Sequence, residues 1–456
     1  MARPMTSILI KDATVLTMRG GPDDVISGDI LIEGQTIADV GVGLEAPHAE
    51  QVDGRRFIVM PGLVNAHMHT WQTGLRSISS NWTFPEYSRW IHAGLATHFG
   101  PSDIHVATLV GALNQIDCGT TTLVDWCHNN PTPDHTDAAI AALRASGIRA
   151  SFLHGTPKPE PRPGEIPYWE TPHPRSEVLR LLRELERDSD MISLGLAVLG
   201  PHYATLEVTL NDFRLAQEFG LIASMHQGGG APRNPEGWTR LEQEGLLNGL
   251  VNIVHGNDLS QAQLARFVEC GVRFTITPES ELISGHGHPI LGRLRDLGAQ
   301  PSIGSDIESA HSSDLLAAAR IALSHQRALD NIDARAKGEF GGKSRLRARD
   351  ALSWVTVEGA RMLGQEDRIG SIAPGKQADL VMLRADALNL QPIHDPISTV
   401  VMQSNPSNID AVMIAGAWRK RDGRLLWDDL NSLTQSLGES GRRIARDVGL
   451  RPTDLN

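Results

Sequence analysis

Eight short apolar runs, spaced by helical patterns, limit what this 456-residue chain can fold into. They are 57–66, Thr121–Asp125, Arg149–Leu153, Ser193–Leu199, Leu221–Met225, Val251–Val254, Val272–Ile276 and Pro301–Gly304. Stretches with helical periodicity lie between them, among them 103–117, 136–146, 176–188, 206–219 and 260–270. Strands that alternate with helices pair in parallel, because each helix returns the chain across a sheet face. Eight such units over roughly 300 residues suit a TIM-type (β/α)8 barrel.

The flanks read differently. Residues 7–60 hold short strand-like runs (Ser7–Ile10, Ala13–Thr17, Asp29–Glu33, Thr36–Val40), with turns at Lys11-Asp12, Gly20-Gly21-Pro22 and Glu33-Gly34-Gln35. After a helical stretch at 349–363, Ala378–Leu383, Ile397–Val401 and Val412–Ile414 read as strands and 427–446 as a polar helix. The expected α/β architecture therefore has three parts. Residues 1–60 begin a small β-sandwich, 61–366 form the barrel, and 367–456 complete the sandwich and add the terminal helix. Pro157–Pro174 is Pro-rich and reads as a long loop after the third barrel strand.

A net charge of -12 disfavours a nucleic-acid or anionic-membrane partner and leaves a small molecule as the expected one. Three cysteines without CxxC spacing do not make a disulfide framework. No signal-peptide core or membrane-spanning run is found, so the expectation is a cytoplasmic protein.

Catalytic groups of a barrel sit where its strands end. The first run ends in His67-Met68-His69, and alternation along a strand points both imidazoles to one face. The next five runs end at His128, His154, His202, His226 and His255, the seventh at Glu279 and the eighth at Asp306. A single histidine at such a place is more often structural. Six of the eight runs ending in histidine at one rim, with an aspartate at the eighth, point to a metal. His67, His69, His226 and Asp306 would hold a divalent ion, zinc or ferrous iron, with a position open to water. Such an ion lowers the pKa of its water toward ~7. Asp306 would take the water proton, and His255 would polarise or protonate the substrate.

These residues resemble the amidohydrolase superfamily, in particular its cytosine-deaminase-like and triazine-hydrolase-like branch. The carriers are Pro61–His69, Gly119–Thr122, His226, His255, Gly304-Ser305-Asp306 and Gly370–Leu380. The resemblance implies a barrel flanked by a sandwich built from both chain ends. It also implies hydrolysis of C–N, and sometimes C–Cl or P–O, bonds of small molecules.

There are three departures. The fourth run lacks the lysine that bridges two metals in binuclear relatives, so one ion is expected. Gly229 stands where the deaminases carry a glutamate that moves the ring and water protons. The segment after the seventh run reads Pro278-Glu279-Ser280-Glu281, and either glutamate is a candidate for a relocated acid or a substrate contact. Trp71, Gln72 and His202 are further candidate substrate contacts. The expected function is hydrolysis of a non-peptide C–N bond in a small cyclic nitrogenous compound by a metal-bound hydroxide, in a homo-oligomer (dimer or tetramer). The alternatives are an aromatic deaminase or dechlorinase with a relocated acid, and a non-catalytic binding protein whose site would hold no metal.

Overall fold

The computed structural model describes residues 7–186, 191–340 and 342–450; the expected helix end at 187–188 lies outside them. Strands β1 (Ser7–Leu16), β2 (Val25–Glu33), β3 (Thr36–Gly41), β4 (Glu50–Asp53) and β5 (Phe57–Pro61) open the chain. The barrel strands follow: β6 (Leu63–Met68), β7 (Thr120–Cys127), β8 (Arg149–Gly155), β9 (Ile192–Ala197), β10 (Ala223–Gln227), β11 (Val251–His255), β12 (Arg273–Ile276) and β13 (Ser302–Ile303). They lie in one parallel sheet in chain order. The sheet nearly closes on itself at its last residues. Met68 bridges Asp306 in parallel, the His69 amide donates to the Asp306 carbonyl at 2.9 Å, and the Asp306 amide donates to the His67 carbonyl at 2.9 Å. An ideal Cβ on Gly304 would stand 2.5 Å from the His67 carbonyl oxygen, so this closure needs glycine.

Strands β14 (Leu380–Arg384), β15 (Ile409–Ile414), β16 (Ala417–Arg421) and β17 (Arg424–Leu425) join β1–β5 in a mixed sheet. The two chain ends meet where β14 runs antiparallel to β5, from Leu380 opposite Pro61 to Arg384 opposite Phe57. Alternate residues of these strands, including Ile8, Ile10, Ile30, Ile32, Val59, Leu380, Met382 and Met413, form its core. By packing, the described residues up to Asn65, Asn114–Thr122 and Asp314–Asp428 make one compact unit. Ala66–Leu113, Leu123–Ser313 and the residues from Asp429 on make the other.

Several local expectations are corrected. The run 57–66 is two strands in two sheets, β5 and β6, separated at Gly62. A Cβ at Gly62 would overlap Thr121 Oγ1 at 1.9 Å. Lys11-Asp12 is a bulge within one long strand, with Asp12 at φ 56°. Ile397–Val401 lies in the helix Pro396–Gln403: the Asp395 carboxylate accepts the Ile397 amide at 3.1 Å, and proline occupies the first helical position. That cap outweighs the strand preference of the β-branched residues. The 22-residue helix Leu315–Ala336 is an addition to the expected set, and 349–363 holds two helices, Ala348–Trp354 and Val357–Met362. No helix among the described residues is long and apolar enough to cross a membrane.

Candidate active site

The ends of β6, β10 and β13 bring four side chains together. His67 Nε2 lies 3.2 Å from His226 Nε2 and 3.3 Å from Asp306 Oδ1, and His69 Nε2 lies 3.4 Å from the same oxygen. One ligand atom from each of the four falls within 4.8 Å of the others. His69 Nδ1 sits 2.6 Å from the Trp126 carbonyl oxygen, which accepts its proton and leaves the Nε2 lone pair facing the cluster. Burial favours the neutral imidazole at His67 and His226 and pulls the pKa of His69 down to about 3. Burial opposes ionisation of Asp306 too, but is outweighed by its bond with His67 and the field of His67, His255 and His69, so it stays a carboxylate. Three neutral nitrogens and one carboxylate fit a divalent ion.

Two residues of the rim hold left-handed backbone, His255 at φ 69° and Asp306 at φ 60°. Each costs on the order of 1–3 kcal/mol, a strain typical of side chains aimed at a site. His255 Nδ1 faces Thr277 Oγ1 at 3.0 Å and Glu281 Oε1 at 3.4 Å, which leaves its other nitrogen for the cavity. Burial lowers the His255 pKa, but the bond with Glu281 and the charges of Asp306, Glu281 and Asp258 more than offset this, so it is raised. A cavity of about 300 Å3 opens on this group; His69, His226, His255 and Asp306 form part of its lining.

The model of the amidohydrolase family matches residues 58–419. The chain belongs to the amidohydrolase family. It is 27% identical to an 8-oxoguanine deaminase of Pseudomonas aeruginosa, over 90% of this chain and 93% of that one. It is 25% identical to a 5-methylthioadenosine/S-adenosylhomocysteine deaminase of Caldicellulosiruptor saccharolyticus, over 94% and 97%. In fold it is similar to atrazine chlorohydrolase TrzN of Arthrobacter aurescens TC1 complexed with zinc (TM-score 0.81, 22% identity, 95% and 100% covered). It is also similar to an adenosine deaminase of Xanthomonas campestris with bound zinc (TM-score 0.80, 24% identity, 97% and 99% covered).

The place of the deaminase glutamate is closed in this amidohydrolase. Gly228, Gly229 and Gly230 all have positive φ, and a Cβ on Gly229 would stand 2.6 Å from the Phe84 ring. Phe84 occupies that part of the cavity wall. Neither glutamate offered as a relocated acid lines the cavity. Glu281 is fully buried behind His255, its carboxylate accepting the Thr277 amide at 2.8 Å; Glu279 lies beside His311 Nδ1 at 3.6 Å.

The expected contacts Trp71, Gln72 and His202 are also set behind the wall. Trp71 packs on Phe99 and donates to His128 Nδ1 at 3.2 Å. Gln72 donates to the Tyr87 hydroxyl at 2.6 Å, and His202 Nδ1 accepts from Gln227 Nε2 at 3.2 Å. Their supported neighbours, His128, Tyr87 and Tyr203, line the cavity instead. A short helix starts just after β6 and turns Trp71 and Gln72 into the protein, which strand alternation does not foresee.

His286 stacks on His255 at 4.7 Å and 16°, so this loop histidine is part of the wall. His154 is occupied by His173, Nδ1 to Nε2 at 2.9 Å. Lys158 went unnoticed in the sequence. It comes from the Pro-rich loop after β8, lies 4.6 Å from the Tyr203 ring and 5.8 Å from that of Trp126, and burial brings its pKa down to about 8. Its position directly after a barrel strand was the available signal.

Proposed function

We propose that this amidohydrolase hydrolyses a non-peptide C–N bond in a small cyclic nitrogenous compound. His67, His69, His226 and Asp306 would hold one zinc ion, and Asp306 and His255 would move the protons. The observation that carries this reading is the convergence of the four ligand atoms within 4.8 Å on the cavity that His255 enters. A single ion is favoured because β9, Ile192–Ala197, offers no lysine. Zinc rather than iron is supported by the two zinc-bound structural neighbours.

When bound, zinc supplies Lewis acidity that brings the pKa of a water toward ~7. The Asp306 carboxylate accepts a proton from the attacking water as oxygen adds to the ring carbon. His255 donates from its cavity-facing nitrogen to the substrate nitrogen, so that the C–N bond breaks and the nitrogen leaves as ammonia or an amine or, in a cyclic amide, becomes the amine end of the opened ring. Glu281 and Thr277 hold the imidazole in place and support its protonated form. The acid-free Gly229 favours substrates that need one protonated leaving nitrogen, such as a cyclic amide, over aromatic deamination. The alternative acid Glu281 has one route into this chemistry, through His255.

Free Cys127 and Cys270 support a reducing, cytoplasmic setting. The homo-oligomeric state is read by light scattering. The activity test is ammonia or amine release from a panel of purines, pyrimidines and triazines, together with ring opening of cyclic amides followed by product mass. Turnover is expected to vanish on chelation and return with zinc; turnover unchanged by metal removal overturns the proposal.

A further inference from the structure

The cavity has an unusual charge balance. The carboxylates in its described lining are Asp306, turned toward His67 and His69, and Glu160, which is exposed. Besides His255, whose protonated form is matched by Glu281, its cations are Arg89, exposed and lying over Trp90, and Lys158, partly buried. Lys158 makes no hydrogen bond or ion pair among the described residues; its ammonium rests over the faces of Tyr203 and Trp126. Aromatic faces stabilise a cation without neutralising it. The positive charge therefore remains available to whatever enters, and a divalent ion at the His–Asp cluster adds to it. The walls around it are flat: Phe84, Tyr87, Tyr168, Trp169 and Tyr203. Aromatic walls with one unneutralised ammonium suit a planar ring that carries a negative oxygen.

We propose that Lys158 is a substrate-binding residue that selects planar nitrogen rings bearing an anionic oxygen, a ring carboxylate or an ionised oxo group. The proposal rests on the hydrolase reading for the purpose of the site and narrows its substrate class. Lys158 acts by charge-assisted hydrogen bonding to that oxygen, holding the ring between the aromatic walls with its reacting carbon toward Asp306 and His255.

The test is calorimetric binding of orotate and uracil, which differ by one carboxylate, to the zinc-loaded protein. Orotate is expected to bind about ten- to a hundredfold tighter than uracil, the range of one charge-assisted hydrogen bond. Lys158→Gln is expected to abolish that preference while zinc content and circular dichroism stay as in the parent; Lys158→Arg is expected to keep most of it. Lys158→Met carries the same expectation, should Lys158→Gln fail to fold. No preference for orotate in the parent overturns the proposal, as does a preference that survives in the charge-free variants. Failure of the hydrolase reading is seen separately, as no ammonia or amine release and no ring opening across the panel.

Discussion

Glu281 Oε1 stands 3.4 Å from His255 Nδ1, and the Glu281 side chain is wholly withdrawn from solvent. A buried carboxylate behind an imidazole fixes the ring and favours its protonated form. Glu281→Gln keeps the shape and removes the charge. It is expected to lower kcat by about 10- to 100-fold with little change in KM and no loss of zinc. Steady-state kinetics with metal analysis checks this; an unchanged kcat would remove Glu281 from the proton path.

Asp306 is assigned two tasks, holding the ion and taking a proton. Asp306→Asn leaves an oxygen for the first and no base for the second. Activity is expected to fall by about 100- to 10,000-fold, the usual worth of a positioned base. His226→Ala is expected instead to lose the metal, read by elemental analysis of the dialysed protein. Full zinc occupancy in His226→Ala would contradict the proposed ligand set.

Restoring the deaminase glutamate at Gly229 is expected to harm the fold. The residue has φ 90°, and a Cβ would press on Phe84 at 2.6 Å. Backbone strain and overpacking together cost roughly 2–5 kcal/mol. Urea denaturation of Gly229→Glu is expected to show that loss, and Phe84→Ala in the same chain is expected to recover the steric part. Undiminished stability of the single variant would mean that the loop can accommodate an acid.

Asp212 gives a pH-dependent term away from the metal cluster. Its carboxylate accepts the His173 amide at 2.8 Å and the Asn211 side chain at 3.1 Å, yet burial raises its pKa from 3.8 to about 6. The folded chain thus keeps this proton up to about pH 6, whereas the unfolded chain releases it near 3.8. The resulting loss of stability sets in as pH rises from 3.8 toward 6 and stays constant above, at roughly 3 kcal/mol. Asp212→Asn lacks this term. Its melting temperature relative to the parent is expected to rise between pH 4 and pH 6 and then level off. A difference that is flat over that range would refute the assignment.

The barrel and the cluster of His67, His69, His226 and Asp306 were legible because both follow from local rules. Alternation puts His67 and His69 on one face, and reading where each apolar run stops reaches His226, His255 and Asp306. Closeness in sequence to a strand end is enough to place such a side chain at the rim. The loop contributions were not legible. Trp71 and Gln72 follow His69 directly, but a short helix turns them away from the cavity. Ile397–Val401 has strand composition, and its cap makes it helix. Lys158 and His286 enter the cavity from loops and Phe84 from the short helix Phe84–Tyr87, segments whose paths depend on packing between parts far apart in sequence.

The sequence by itself determined the fold class and four of the side chains that converge at the rim, since periodicity and strand alternation act within a few residues. Only the tertiary structure decided what fills the space at Gly229, what stands behind His255, and that an unpaired ammonium faces the cavity. Those relations join residues tens to more than a hundred positions apart, and no local preference encodes their distances.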